Sequence, residues 1–159
     1  MEYVKVDTEK LNKKLRFFEE RCHKAGLKIT PQRTAVYKSL IRTDAHPTAE
    51  DVFWEVRKEM PNISLDTVNR TLLTLAEIGA AFVVEGTGQP RRFDGGLEVH
   101  QHFRCIRCGK IVDFHYEPFD NIALPREIEE KFKILRKTVY LEGLCQTCQT
   151  HTSLSECSD

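Results

Sequence analysis

Two cysteine pairs constrain this chain more than any other feature. Cys105 and Cys108 form one C-x-x-C, and Cys145 and Cys148, in "CQTC", form another, with 36 residues between the pairs. A C-x-x-C on a turn aims two thiolates at one point, and two such pairs make a tetrahedral cage for zinc. The gap exceeds the ~15–20 residues of common zinc ribbons, so a strand–helix–strand insertion has to fill it. Gly109, directly after the first pair, gives that turn room. A redox dithiol is the competing use, but it ordinarily stands alone at a helix N-terminus. Two matched pairs favour structural zinc with no open position, whose binding energy, on the order of 10 kcal/mol at neutral pH, becomes folding energy. Cys22 lies on a helical stripe and reads as core, whereas Cys157 sits in a polar tail and reads as exposed.

The segments around the cysteines predict a small mixed unit. "HFRCIRC", "KIVDFHY" and "KTVYLEGLC" have the composition of strands, and "PREIEEKFK" that of a short helix. A unit of about 60 residues often needs a staple such as a metal. The part before it reads as helices. Leu11, Leu15, Phe18 and Cys22 recur at three- and four-residue steps, and Gly26 ends that helix. Thr30 and Pro31 open a second helix, with Ala35, Val36, Leu40 and Ile41 as its apolar stripe. Thr48 and Asp51 make a capping box ahead of Val52, Phe53, Val56 and Met60. Ser64 caps a fourth helix with Val68, Leu72, Leu75 and Ile78 inward, ended by Gly79. "AAFVVEGTGQPRRFD" then changes period, with a Gly-Thr-Gly-Gln turn between two short apolar runs, the mark of a hairpin. Helices followed by a hairpin predict a winged helix, whose last helix is the natural one to enter a DNA major groove. The expected division is a winged-helix domain over 1–94 with its wing at about 81–94, a hinge at 95–99, and a second α/β domain over 100–159.

Charge sets limits on partners. The 24 basic and 24 acidic residues cancel, so any DNA contact has to come from a local patch. No apolar run approaches the ~18 residues of a membrane span. The charged start, "MEYVKVDTEK", is unlike a secretory signal. A cytoplasmic protein with reduced thiols is therefore the expectation.

A second group of ligand-type residues surrounds the first cysteine pair. His100 and His102 alternate about Gln101, and on a strand residues i and i+2 share one face. Asp113 follows the first pair, Asp94 ends the hairpin, and His46 precedes Pro47 at a helix junction. Nitrogen and carboxylate donors suit iron(II), manganese(II) or zinc(II). Each residue also has an ordinary explanation as a surface, core or turn residue, and spacing by itself leaves both open.

Six motifs in order, "GLKITPQRTAVYKSL", "AHPTAEDVFWEV", "TVNRTLLTLAEIG", "RRFDGG", "HQHFRCIRCGKIVDF" and "GLCQTCQ", resemble the ferric-uptake-regulator (Fur) family of metal-dependent transcription repressors. The resemblance implies an N-terminal winged-helix DNA-binding domain, a small C-terminal dimerisation domain stapled by zinc, a homodimer, and a double-stranded DNA operator as partner. It implies structural zinc on Cys105, Cys108, Cys145 and Cys148, and regulatory iron(II) or manganese(II) on His46, Asp94, His100, His102 and Asp113. Asp rather than Glu at both acid positions makes the peroxide-responsive (PerR) branch the nearest look-alike. In that branch a ligand histidine, here His46 or His100, is oxidised and the metal leaves. The implied DNA contacts are Lys28, Arg33, Ser64, Thr67, Asn69 and Arg70, with Arg91 and Arg92 at the wing. The family usually has "TVYR" where this chain has "TVNR", so Asn69 replaces a tyrosine and the target sequence stays open. Lys137 stands near where some iron-responsive members have a histidine ligand, which argues against a third metal site.

Three other functions compete. One is a family member sensing only iron, manganese or zinc supply. Another is a metalloenzyme, disfavoured because the chain has neither H-E-x-x-H nor the deaminase signature. The last is a zinc-stapled interaction module that never meets DNA, which zero net charge would suit.

Overall fold

The structure, a computed structural model, describes residues 8–84, 90–134 and 137–150. Its contacts divide the chain into two units, Met1–Leu97 and Glu98–Asp159. The first unit starts with helix α1 (Thr8–Lys24), which buries Phe18 and Cys22. Gly26 ends it at φ +66°, where the N–H of Gly26 donates to His23 O (3.0 Å) and that of Leu27 to Cys22 O (2.9 Å). Glycine takes this left-handed turn without a Cβ penalty, and the paired bonds satisfy the last carbonyls.

Helix α2 (Pro31–Ile41) is capped by Thr30, whose hydroxyl accepts from the Arg33 N–H at 3.2 Å. It is buried more widely than its expected stripe: Tyr37 and Ser39 are buried with Val36, Leu40 and Ile41, while Ala35 is only half-buried. The reason is position, because α2 packs against α1 and against the two helices that follow. The Tyr37 ring stacks on Phe18 at 4.6 Å, and its hydroxyl donates to Lys14 O. Helix α3 (Ala49–Arg57) has both halves of the Thr48–Asp51 capping box and buries Val52, Phe53 and Val56. Helix α4 (Leu65–Glu77) is capped by Ser64 and buries Val68, Leu72 and Leu75; Ile78 and Met60 are half-buried against the same core.

Strands β1 (Phe82–Val83) and β2 (Phe93–Asp94) then pair antiparallel, with Phe82 opposite Asp94. Strand β1 is shorter than the apolar run, Ala80 to Val84, that announced it. The expected Gly-Thr-Gly-Gln turn lies outside the described residues. Strand β2 is also tied to the loop between α2 and α3. Arg92 bridges Thr48, and the Phe93 N–H donates to Pro47 O at 3.0 Å. Four helices and an antiparallel pair on one core make a winged helix.

The second unit is built on β3 (Gln101–Cys105), flanked by antiparallel β4 (Ile111–Phe114) and parallel β5 (Tyr140–Gly143). Between β4 and β5 lie the short helices α5 (Glu117–Asp120) and α6 (Arg126–Lys131), and α7 (Gln146–Thr150) follows β5. Two details differ from expectation. The strand of "HFRCIRC" stops at Cys105, because the Cys105 carbonyl accepts the Gly109 N–H (2.9 Å) and closes a turn. Helices α5 and α7 carry no stripe of apolar residues long enough to announce them. Cys105, Cys148, Gln101 and His102 are buried in this unit, whereas Ile106, Val112, Leu141, Ile122 and Phe132 are exposed. No described helix is long and apolar enough to cross a membrane.

Two substitutions test this account of the first unit. Thr48→Ala removes the hydroxyl that accepts the Asp51 N–H and should cost about 1 kcal/mol in thermal or urea unfolding. Ser39→Ala should be neutral or stabilising, because Ser39 Oγ is buried without a hydrogen-bond partner among the described residues and such a hydroxyl costs roughly 1–3 kcal/mol.

Candidate metal centre

Strand pairing solves the problem of the long gap between the cysteine pairs. Parallel register sets Gly143 of β5 beside Cys105 of β3, and the Ile106 N–H donates to Gly143 O at 2.9 Å. Cys145 follows two residues later and Cys148 lies in the next helical turn, so both arrive at the end of β3 where the first pair turns. The four Sγ atoms lie within 4.8 Å of one another. Cys108 and Cys145 Sγ are 3.8 Å apart. That is the edge of a tetrahedron whose centre-to-sulfur bonds are about 2.3 Å, the zinc–thiolate length.

The local electrostatics already favour a thiolate. Burial pushes the Cys105 thiol up, but N–H groups of Cys108, Cys145 and Arg107 oppose this, and the net effect lowers it to about 6. The Cys145 N–H stands 3.4 Å from Cys105 Sγ. Cys108 receives the Lys110 N–H, which lowers its thiol; burial and the neighbouring Cys105 and Cys145 outweigh this and raise it. Crowded thiolates repel one another until a dication neutralises them, so the donor set fits zinc and leaves no position for substrate.

The other end of β3 carries a different donor set. His102 on β3 lies directly opposite Asp113 on β4. His100 Nε2 and His102 Nε2 are 3.2 Å apart, close to the edge of about 3.3 Å that metal–nitrogen bonds near 2.0 Å would produce. Asp113 Oδ1 lies 3.5 Å from His102 Nε2, and Oδ2 lies 3.8 Å from His100 Nε2. The His100 Nδ1 faces the Glu98 carbonyl at 2.8 Å. A carbonyl only accepts, so Nδ1 holds the proton and Nε2 keeps a lone pair for a metal. Two imidazoles and a carboxylate suit iron(II), manganese(II) or zinc(II).

No motif announces the support behind this set. Gln101, between the two histidines, is buried and donates to Asp120 Oδ1 at 2.7 Å. Its own oxygen accepts the Tyr116 N–H, and His115 Nε2 meets Asp120 Oδ2 at 2.9 Å. The network joins β3 to the start and end of α5 and holds the strand that presents both histidines. Its only sequence trace is an amide between two histidines, which is too common a residue to single out.

His46 and Asp94 belong to the first unit. His46 is buried and adopts φ +49°, a left-handed conformation that costs a non-glycine residue on the order of 1–3 kcal/mol. Its carbonyl accepts from Arg92 Nη1 at 3.0 Å. Arg92, expected among the wing cations, thus has one guanidinium N–H turned inward. Asp94 Oδ1 accepts the Gly96 N–H at 2.7 Å.

The residues expected to meet DNA fall into two groups. Ser64, Thr67, Asn69 and Arg70 lie at the start and along the first turns of α4. Ser64 Oγ caps the helix and lies 2.8 Å from Thr67 Oγ1, and Arg70 pairs with exposed Asp66 at 3.3 Å. Asn69 lines a cavity of about 620 Å³ with Thr48, Asp66, Pro90 and Arg91. At the α1–α2 junction, the Arg33 guanidinium bonds the Lys28 carbonyl, and Lys28 itself is exposed.

A helical core with a wing, followed by a sheet that ends in a four-cysteine cluster, defines a winged-helix protein of the metal-stapled type. The ferric uptake regulator family matches residues 24–142. The peroxide-responsive repressor PerR of Staphylococcus saprophyticus is 36% identical over 124 residues, 78% of this chain and 84% of its own. Among solved structures, the Helicobacter pylori ferric uptake regulator Fur, described as having three functional metal binding sites, superposes with a TM-score of 0.69 at 26% identity. It covers 96% of this chain and 100% of its own. The Campylobacter jejuni peroxide stress regulator gives 0.59 at 30% identity, over 84% of this chain and 98% of its own. This chain belongs to the ferric uptake regulator family.

Removal of one thiol tests the cysteine cluster. Cys145→Ser should abolish stoichiometric zinc and melt the second unit, read by metal analysis and amide NMR dispersion. The first unit, with its own core, should keep its helical circular dichroism.

Proposed function

We propose that this protein is a metal-loaded transcriptional repressor that releases DNA when peroxide oxidises a ligand histidine. The observation that carries this is the arrangement of His100, His102 and Asp113, with the His100 tautomer fixed by Glu98 so that both Nε2 atoms face one point. Zinc on Cys105, Cys108, Cys145 and Cys148 is structural. His46 and Asp94 from the first unit complete the regulatory set, as the family resemblance implies. An ion bound by both units then stabilises one arrangement of them, and it shifts the population only by its differential affinity for that arrangement. Homodimerisation through the second unit is supported by its exposed Val112, Leu141, Ile122 and Phe132 and its scant core. The α4 helix presents Asn69 and Arg70 to the major groove, where Asn pairs with adenine and Arg with guanine. Lys28 supplies a phosphate contact.

Bound iron(II) supplies the chemistry that cleaves hydrogen peroxide beside an imidazole. In net terms one peroxide oxygen joins the histidine ring and the other leaves as water. His46 and His100 are the expected targets. Their loss as nitrogen donors lowers metal affinity, and the DNA-competent arrangement is lost with it. Likeness to Staphylococcus repressors named for peroxide response supports this over a sensor of metal supply alone. The second reading is favoured by the superposition on the Helicobacter pylori ferric uptake regulator.

Protein purified without oxygen, loaded with iron(II) or manganese(II) and treated with peroxide, separates the two. Mass spectrometry should find one added oxygen on peptides containing His46 or His100 in the iron form only; unmodified peptides in both forms would leave metal supply as the signal. Asp113→Ala should lose manganese-dependent binding to duplex DNA selected from a random pool by the manganese-loaded protein, while it retains zinc. Undiminished binding would place the regulatory site elsewhere.

A further inference from the structure

We infer that Arg92 is a positioning residue for the regulatory metal: it holds His46 in its left-handed backbone conformation through the His46 carbonyl. This rests on His46 being a ligand, as proposed above. Among the described residues, His46 is the one non-glycine with positive φ. Histidine tolerates that region better than most residues, but the following Pro47 biases the residue before it toward extended backbone. The surrounding structure imposes it. Arg92 Nη1 donates to His46 O at 3.0 Å, the Phe93 N–H donates to Pro47 O at 3.0 Å, and Arg92 bridges Thr48 in antiparallel register. Three successive residues before α3 are therefore fastened to two successive residues of β2 and its approach. Pro47 is fully buried, which leaves little room for the loop to shift as a body.

The Phe93 N–H bond and the bridge at Thr48 fix Pro47 and Thr48, but the carbonyl of His46 is held by a side chain. That carbonyl sets the plane of the peptide joining His46 to Pro47, and so the ψ of His46. A guanidinium is always charged, and its bond to a carbonyl is stronger than a neutral one. Without it, His46 relaxes toward the extended backbone that a following proline prefers, and its imidazole points elsewhere. Asp94, the acid proposed to share the ion, stands two residues beyond Arg92, on the strand that Arg92 leads into. One short segment thus supplies a ligand and orients a second.

The test is a double-mutant cycle on the full chain, with manganese(II) as probe because peroxide does not enter the readout. His46→Ala removes one ligand of several and should weaken manganese binding to a measurable degree. Arg92→Ala should weaken it 10–100-fold, the usual effect of losing a group that orients a ligand, and Arg92→Lys should recover part of the loss. In the His46→Ala background, Arg92→Ala should add nothing, because its effect passes through His46. Zinc content and helical circular dichroism should stay unchanged in every variant. If the two losses add, or if Arg92→Ala binds manganese normally while His46→Ala does not, the positioning role is overturned. If His46→Ala itself binds manganese normally, the ligand assignment falls first, and the role of Arg92 falls with it.

Discussion

The second unit depends on the convergence of four cysteines at the end of β3. Its buried residues are few and its apolar side chains largely face outward. Burial at roughly 25 cal/mol per Å² cannot stabilise a unit this open against its chain entropy. A dication held by four thiolates can, since binding free energy becomes folding free energy wherever the site is absent from the unfolded chain. The sheet prepares that site. Parallel pairing of β5 with β3 delivers Cys145 to Cys105, and N–H groups lower the Cys105 thiol before any ion arrives.

The same strand carries both donor sets, and this links stability to sensing. His102 and Cys105 are three residues apart on β3, about 10 Å at an extended rise. The candidate ligands at one end are soft sulfurs, and those at the other are a half-buried and a buried imidazole with an exposed carboxylate. Softness separates what the two sets fit: thiolates suit zinc, while imidazole and carboxylate suit iron or manganese. Gln101 and Asp120 brace the strand from α5, so both sets stand on a framework that metal exchange at one need not disturb.

The first unit is stabilised by ordinary means and, among its described residues, strained at one place. Caps at Thr30, Thr48 and Ser64 start its helices, glycines at 26 and 79 close two of them, and α2 fills the centre. The strained place is His46, where local preference is overruled by bonds from β2. Strain of this kind persists only where neighbours over-determine the backbone, and it gathers at sites that bind or switch. Arg92 shows how a cation in sequence can have an inward duty, and Arg33 on the Lys28 carbonyl is a second instance.

Periodicity and punctuation made the helices, their caps and the wing legible, because each is decided within a few neighbouring residues. The cysteine pairs were legible for a related reason: thiol spacing on a turn is local chemistry, whatever fills the gap. Burial around α2 was not, since Tyr37 and Ser39 are buried by helices distant in sequence. Helices α5 and α7, of four and five residues, are too short for a period to show. The sequence by itself therefore determined which side chains can hold a metal and which segments coil or extend. Only tertiary structure decided that β5 runs parallel to β3, that Asp113 faces His102, and that Arg92 turns to the His46 carbonyl. Those are pairings between residues far apart along the chain, and no local preference encodes the register that brings them together.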